Sequence, residues 1–274
     1  MKHSDFPLGR YFVFLFLSSG LFFACRNDPA VQNIHGDGQT DLAIQIEQRS
    51  FNKKSAHCLK DSVHCMRINA TYPFVTSGPD DAVRTINDSI LYHLKTNVGV
   101  FAVDHSELSG SLDSIATAYI QDFESLMDDS PDYPFAWEIE VEGSVLYQSA
   151  KILSVALNAY SFTGGAHPNV FLDLINFDLA NGKKLSFSDL FSDEQRLKML
   201  VEKKFREVRE IDPNTSITEA GFFWGDPFAL PQNFALLEDG VYFHYNPYEA
   251  AAYALGVTEF TIPYKELKEV MKGP

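Results

Sequence analysis

The stretch Trp137-Glu138-Ile139-Glu140-Val141-Glu142 alternates apolar with acidic residues over six positions. Successive side chains of a β-strand point to opposite faces, so the pattern predicts a strand with one buried and one solvated face. The next two residues, Gly143-Ser144, are typical of a turn. The glutamates could instead supply an acid/base pair for glycoside hydrolysis, but a regular row along one strand favours a solvated sheet face.

Further strands are predicted on both sides of this stretch. They cover residues 41–50, 63–75, 151–160, 170–178, 234–237, 241–245 and 257–262. The turn signals Asn181-Gly182 and Glu238-Asp239-Gly240 indicate tight connections between neighbouring strands.

Helical spacing of apolar residues appears in four other segments. The predicted helices cover residues 79–94, 112–127, 192–208 and 263–271. Pro79 suits a first helical position, and Ser192 with Gln195 has capping-box spacing. Because strands and helices are mixed rather than alternating, the sequence predicts an α+β fold with antiparallel sheets and packed helices. We expect two consecutive subdomains, residues 42–168 and 169–274.

The N-terminus predicts export from the cytoplasm. Lys2 and Arg10 precede an uncharged run of 14 residues, Tyr11–Ala24, which ends directly before Cys25. As a helix this run is about 21 Å long, against a hydrocarbon core of about 30 Å. We interpret residues 1–25 as a lipoprotein signal peptide with its lipobox, in which Cys25 is acylated and anchors the chain to a membrane. An ordinary cleaved signal peptide and an uncleaved anchor are the alternatives, and each also places the rest of the chain outside the cytoplasm.

Composition narrows the classes of partner. The chain has a formal net charge of −15 and a hydrophobic fraction of 45%, which is enough for one large or two modest cores. An acidic field disfavours nucleic acid and anionic lipid and favours basic partners, although a well-hydrated surface explains the same charge. Residues 26–41 are polar and rich in turn formers, which is typical of a flexible tether.

Two cysteines occur in a doubled pattern, His57-Cys58 and His64-Cys65. In an oxidising compartment, such a pair around a short polar loop predicts a disulfide between Cys58 and Cys65. A zinc site and two free thiols are the alternatives, and the spacing is unusual for zinc.

Three loops hold the residues best suited to bind a ligand. They contribute Gly164, Gly165, His167 and Pro168 from the first, Trp224 from the second, and Pro247, Tyr248 and Glu249 from the third. A structural role is the alternative for two of these loops: His167 could be locked in its turn by hydrogen bonds, and the aromatic loop around Trp224 could cap the core. The sequence has no nucleophile elbow, zinc-protease motif, phosphate loop or dinucleotide fingerprint, so we predict no catalytic residues, no metal and no cofactor.

Several of these motifs together resemble known envelope proteins. The turn at 164–168, the passage from Phe177 to Phe191, and the ending 234–264 are similar to the domain-of-unknown-function families 4163, upstream, and 3298, downstream. The likeness extends over residues 60–266. It implies a non-catalytic α+β ectodomain, because relatives include the outer part of a lysozyme-sensing anti-sigma factor and an accessory module of peptidoglycan deacetylases. The deacetylases' metal-binding His-x-x-x-His is absent from this sequence.

We therefore expect a lipid-anchored binding module of the cell envelope, periplasmic or on the outer membrane. The resemblance implies peptidoglycan or a basic muramidase such as lysozyme as its partner. A glycan hydrolase with carboxylates from distant loops and a purely structural envelope lipoprotein are the alternatives.

Overall fold

The computed structural model describes residues 44–59, 64–99 and 110–272. The predicted signal peptide, Cys25 and the predicted tether lie outside these residues. The strands are β1 (Gln45–Lys54), β2 (Met66–Ser77), β3 (Trp137–Gln148), β4 (Ile152–Phe162), β5 (Asn169–Asp178), β6 (Asn233–Leu236), β7 (Gly240–Tyr245) and β8 (Thr258–Pro263). The helices are α1 (Asp80–Gly99), α2 (Leu112–Asp129), α3 (Phe187–Leu190), α4 (Glu194–Val208) and α5 (Tyr264–Leu267).

The strands form two sheets. Five strands pair in the order β1-β2-β3-β4-β5, and three pair in the order β6-β7-β8. Neighbouring strands are antiparallel except β2 and β3, which are parallel because α1 and α2 lie between them in the chain. The α+β fold class predicted from the sequence is confirmed.

The central strand β3 has the two faces that its sequence predicts. Ile139 and Val141 are buried in a core formed with α1 and α2, whereas Glu140 and Glu142 are exposed on the opposite face. The predicted turn at Gly143-Ser144 is wrong, because β3 runs through it to Gln148. A Cβ atom at Gly143 would lie 2.8 Å from the Cα atom of Tyr72, so this glycine permits a close approach between strands.

The second core lies between the three-stranded sheet and α4. Phe205 from α4 packs against Tyr245 of β7, with ring centroids 5.2 Å apart. The N-cap of α4 differs from the predicted one: Asp193 accepts a hydrogen bond from the backbone N–H of Arg196, whereas the Ser192 hydroxyl donates to the carbonyl of Val270. A carboxylate at the N-cap is favourable because it complements the helix dipole.

Asparagine side chains join the two sheets. Asn176 of β5, which is 1% exposed, donates from Nδ2 to the carbonyl of Phe234 at 2.8 Å and accepts at Oδ1 from the N–H of Leu236 at 2.8 Å. Its Oδ1 also accepts from the hydroxyl of Ser154 at 2.8 Å. The amide therefore satisfies the edge of β6 as a neighbouring strand would.

Two further asparagines, Asn233 of β6 and Asn246 directly after β7, bind β5 in the same way. Asn246 accepts from the N–H of Leu172 at 2.8 Å and donates to its carbonyl at 3.0 Å. Asn233 accepts from the N–H of Leu174 at 3.0 Å. The predicted boundary between residues 168 and 169 separates β4 from β5, which pair in one sheet; the division into two subdomains stays a prediction.

Cys58 and Cys65 form a disulfide, which connects a short 3-10 turn at residues 56–59 with the start of β2. None of the helices in the described part of the chain is both long and apolar enough to span a bilayer.

We expect Asn176→Ala to lower the free energy of unfolding by about 2–4 kcal/mol, because it leaves buried backbone groups of Phe234 and Leu236 without partners. Urea unfolding measures this change. Asn158→Ala is the matched control, since Asn158 is an exposed residue of the neighbouring strand β4. Equal effects of the two substitutions would contradict the role of Asn176 in joining the sheets.

Candidate functional site

A groove of about 620 Å³ is lined by residues of both sheets. It lies on the face of the five-stranded sheet that carries the exposed glutamates of β3, opposite α1 and α2. The first sheet contributes Glu142, Asn158 and Leu172, and the second contributes His244 and Glu259. The groove therefore combines two carboxylates, an amide and an imidazole with apolar side chains, a composition typical of ligand sites.

His244 and Glu259 of the groove belong to a hydrogen-bonded cluster with Tyr242 on the second sheet. The Tyr242 hydroxyl donates to Glu259 Oε2 at 2.6 Å, and His244 Nδ1 lies 3.2 Å from the same oxygen. Burial lowers the pKa of His244, and the nearby Glu259 opposes this shift. Burial, followed by the bond to Glu259, raises the pKa of the Tyr242 hydroxyl. The cluster fixes the position of the Glu259 carboxylate at the groove.

Three aromatic residues meet beside the groove and form what we term the aromatic patch: His167, Tyr248 and Tyr253. The rings of His167 and Tyr253 are stacked, with centroids 3.8 Å apart and 14° between their planes. His167 Nδ1 is 2.8 Å from the carbonyl of Pro168, which only accepts, so Nδ1 carries a proton. In the neutral ring Nε2 then accepts from the Tyr248 hydroxyl, 3.3 Å away.

Tyr133 holds the glycine turn before His167 in place. The Tyr133 hydroxyl donates to the carbonyl of Thr163 at 2.9 Å, and a Cβ atom at Gly164 would lie in severe overlap, 2.1 Å from that hydroxyl oxygen. Gly164 also has a φ of +86°, which disfavours other residues. By contrast, a Cβ at Gly165 would meet open space, although φ there is +110°.

The loop 246–249 links the patch to the groove. Pro247 lines the groove, and the next residue, Tyr248, is 55% exposed with a φ of +65°. The Glu249 carboxylate accepts from the backbone N–H groups of Gln232 at 2.6 Å and Asn246 at 2.8 Å. Burial raises the pKa of Glu249, and the two N–H groups oppose that shift. In this arrangement Glu249 holds the loop in place.

Trp224 is not part of the aromatic patch. Its side chain is 61% exposed, while its neighbour Phe223 is buried in the second core. The N–H of Phe223 donates to the carbonyl of Ala250 at 2.8 Å, which ties this loop to the segment after Glu249. Among the described residues no aromatic ring contacts Trp224. The structure thus brings His167 and Tyr248 together. The aromatic loop with Trp224 has a structural role as well, because its residue Phe223 is buried in the second core.

The sequence-based selection missed Tyr253, His244 and Glu259. Tyr242 and His244 alternate on β7 and share a face, which is a visible signal. The decisive contact, however, is between strands, since His244 pairs with Glu259 of β8. Strand prediction alone does not establish that register.

The described residues contain no group of three or more histidine, cysteine, aspartate or glutamate side chains suited to a metal ion. What the groove offers chemically is hydrogen-bond acceptors, negative charge and neighbouring aromatic faces.

Two families match the chain in consecutive segments. Residues 59–170 match the family described as Deacetylase PdaC, and residues 188–265 match the family described as Protein of unknown function DUF3298. The chain is related to both families. This confirms the resemblance to family 3298 and to peptidoglycan deacetylases that the sequence motifs predict.

Individual named relatives are 20–26% identical to this chain over the aligned residues. The peptidoglycan-N-acetylmuramic acid deacetylase PdaC of Bacillus subtilis strain 168 is 20% identical over 206 residues, which are 71% of this chain and 42% of the relative. Immunogenic protein MPT64 of Mycobacterium tuberculosis H37Rv is 26% identical over 140 residues, 47% of this chain and 58% of the relative. The chain thus spans about half the length of the curated relatives it matches.

Solved structures share the fold. A DUF3298 family member from Bacteroides fragilis NCTC 9343 superposes with a TM-score of 0.66 at 18% identity, covering 86% of this chain and 96% of that one. A DUF3298 family protein from Pseudomonas aeruginosa PAO1 has a TM-score of 0.59 at 23% identity, covering 85% and 96%.

We expect His244 to make stability depend on pH. Because burial lowers its pKa in the folded state, the unfolded chain binds this proton first as the pH falls below about 6.5. The free energy of unfolding therefore decreases from about pH 6.5 towards the lowered pKa and then levels off. Denaturant titrations across this range measure the slope, and His244→Gln is expected to reduce it. An identical slope in the variant would contradict this assignment.

Proposed function

We propose that this chain is a non-catalytic domain of the bacterial cell envelope that binds peptidoglycan in the groove between its two sheets. The observation that carries the proposal is the position of the aromatic patch next to a groove lined with carboxylates and an amide. Sugars present both hydroxyl groups, which these side chains can hydrogen-bond, and apolar ring faces, which pack on aromatic rings.

The relatives support a role at the cell wall. The Bacillus subtilis relative is named as an enzyme that acts on peptidoglycan, and the family that bears its name matches residues 59–170. We further propose that Cys25 is lipidated and holds the domain at a membrane outside the cytoplasm, where peptidoglycan is within reach.

Tyr248 is the residue whose loss tests the patch. We expect Tyr248→Ala to weaken co-sedimentation of the protein with purified insoluble peptidoglycan by roughly three- to tenfold, because an exposed aromatic face is removed. Tyr92→Ala is a matched control, since Tyr92 on α1 is 59% exposed and lies outside the groove and patch. Equal binding of the two variants would contradict a role for the patch.

The same mixture of protein and insoluble peptidoglycan also tests whether the protein hydrolyses the glycan. Glu142 and Glu259 both line the groove, so a glycan hydrolase with carboxylates from distant segments is the alternative. Release of soluble muropeptides that Glu142→Gln or Glu259→Gln abolishes would establish the hydrolase. No binding and no release would favour the purely structural lipoprotein.

A basic muramidase such as lysozyme is the second candidate partner. Exposed Glu140 lies on the same face of β3 as the groove residue Glu142, and the chain carries a net charge of −15. Complementary charge raises the association rate of a cationic protein.

For lysozyme, we expect affinity to fall as salt rises, because the screening length shortens from about 8 Å at physiological ionic strength to about 3 Å at 1 M. Glu142→Gln with Glu259→Gln is expected to weaken binding by roughly five- to tenfold in titration calorimetry at low salt. Glu266→Gln, an exposed substitution on α5, is the control. Binding that neither salt nor the double substitution changes would eliminate this partner mode.

A further inference from the structure

The face of the five-stranded sheet that carries the groove continues past it. In the strand register, Tyr160 of β4 lies opposite Glu140 of β3 on one side and Val170 of β5 on the other. Val170 lines the groove, and so does Asn158, which precedes Tyr160 on the same face of β4. Tyr160 is half-buried. It is therefore the next side chain along β4 after the groove residues.

The strand pattern explains why Tyr160 points away from the helices. Its neighbour Ala159 is buried in the core formed with α1 and α2, and side chains alternate between the faces of a strand. Phe162 thus shares the face of Tyr160, and its ring packs against Phe135, which is 39% exposed, with centroids 5.8 Å apart. Aromatic side chains extend this face by about 13 Å beyond Asn158, at about 3.3 Å per residue.

Polar side chains lie beside Tyr160. Asn69 of β2 is opposite Glu140 in the register, so Asn69, Glu140 and Tyr160 form one row across three strands. We term these three residues, together with Phe162, the open face. Within the described part of the chain, the side chains of Asn69, Glu140 and Tyr160 form no hydrogen bond to another protein group. A ligand can therefore bind their polar atoms without breaking a hydrogen bond among the described residues.

The charges beside the open face favour a neutral glycan over a basic protein. Arg67 of β2 lies opposite Glu138, in the row beyond Asn69 and Glu140, so a positive side chain interrupts the acidic surface. A basic partner would meet this guanidinium group. A glycan instead presents hydroxyl groups, which amides and carboxylates bind, and apolar ring faces, which pack on aromatic side chains.

We propose that the open face binds the continuation of a glycan chain whose other sugars occupy the groove. Tyr160 contacts a sugar ring, and Asn69 and Glu140 hydrogen-bond its polar groups. The preferred ligand is therefore a linear chain that is longer than the groove, rather than a short fragment. The inference rests on the proposed function, because the groove supplies the first part of the site, whereas the preference for length rests on Tyr160.

Chain length tests the inference on the unmodified full chain. Calorimetry compares β-1,4-linked oligomers of three and of six N-acetylglucosamine units. We expect the hexasaccharide to bind roughly tenfold more tightly, because its additional sugars contact the open face. A gain of about fourfold or less would overturn the inference, since a six-sugar chain offers four overlapping three-sugar segments to the groove alone.

Substitutions separate Tyr160 from the groove. Tyr160→Ala is expected to weaken hexasaccharide binding by roughly fivefold and to leave trisaccharide binding unchanged, which also shows that the variant is folded. Tyr160→Phe keeps the ring and is expected to retain most of the hexasaccharide affinity. Tyr92→Ala on α1 is the matched control, because Tyr92 is exposed and lies on a helix rather than on this face. If Tyr160→Ala weakened both oligosaccharides equally, or neither, the inference would be overturned.

The proposed function can fail separately. Trisaccharide binding that depends on Tyr248, without a gain for the hexasaccharide, would support the groove and overturn the extension. Hexasaccharide binding that depends on Tyr160 but not on Tyr248 would support the open face and contradict a role for the aromatic patch. Lysozyme binding that Tyr160→Ala weakens, without hexasaccharide binding, would assign the open face to a basic protein and overturn the inference, as would absence of binding to both oligosaccharides.

Discussion

Among the described residues, no strand pairs with the outer edge of β5 at Leu172 and Leu174, and asparagine side chains bind the backbone groups there. A primary amide carries a donor and an acceptor side by side, so it can replace one residue of a neighbouring strand. Asn246 and Asn233 bind β5 at Leu172 and Leu174. Leu172 also lines the groove, so this joint between the sheets positions the groove.

The joint also determines where the aromatic patch lies. The Asn246 side chain is hydrogen-bonded to Leu172, and the backbone N–H of Asn246 donates to Glu249. Pro247 and Tyr248, which lie between Asn246 and Glu249, therefore have little conformational freedom. The first core uses the same device, because buried Asn87 of α1 binds both backbone groups of Val75. Loss of such an amide leaves buried donors and acceptors unsatisfied, at a cost of about 1–3 kcal/mol for each group.

Local patterns predict the elements of this fold, and contacts between distant residues determine the site. Alternation along β3 correctly separates Ile139 from Glu140, since burial on one face is a local property. Gly143 is a residue type typical of turns, but here it lets β3 lie close to β2. A Cβ atom at this position would overlap with Tyr72 of β2, which the local sequence does not reveal. His167 and Tyr248 could be selected as loop residues, whereas their contact depends on the sheet joint, whose asparagines show no periodic signal.

The positions of individual charged side chains matter more to a bound ligand than the net charge of the chain does. A chain with a net charge of −15 places Glu142 and Glu259 at the groove, whereas the ammonium group of Lys184 contacts His93 of α1. Charges further apart than about 8 Å are largely screened at physiological ionic strength, so a ligand in the groove responds to these nearby carboxylates more than to the net charge of the chain. Under the proposed function, these carboxylates favour ligands with cationic groups or with hydroxyl groups that donate hydrogen bonds.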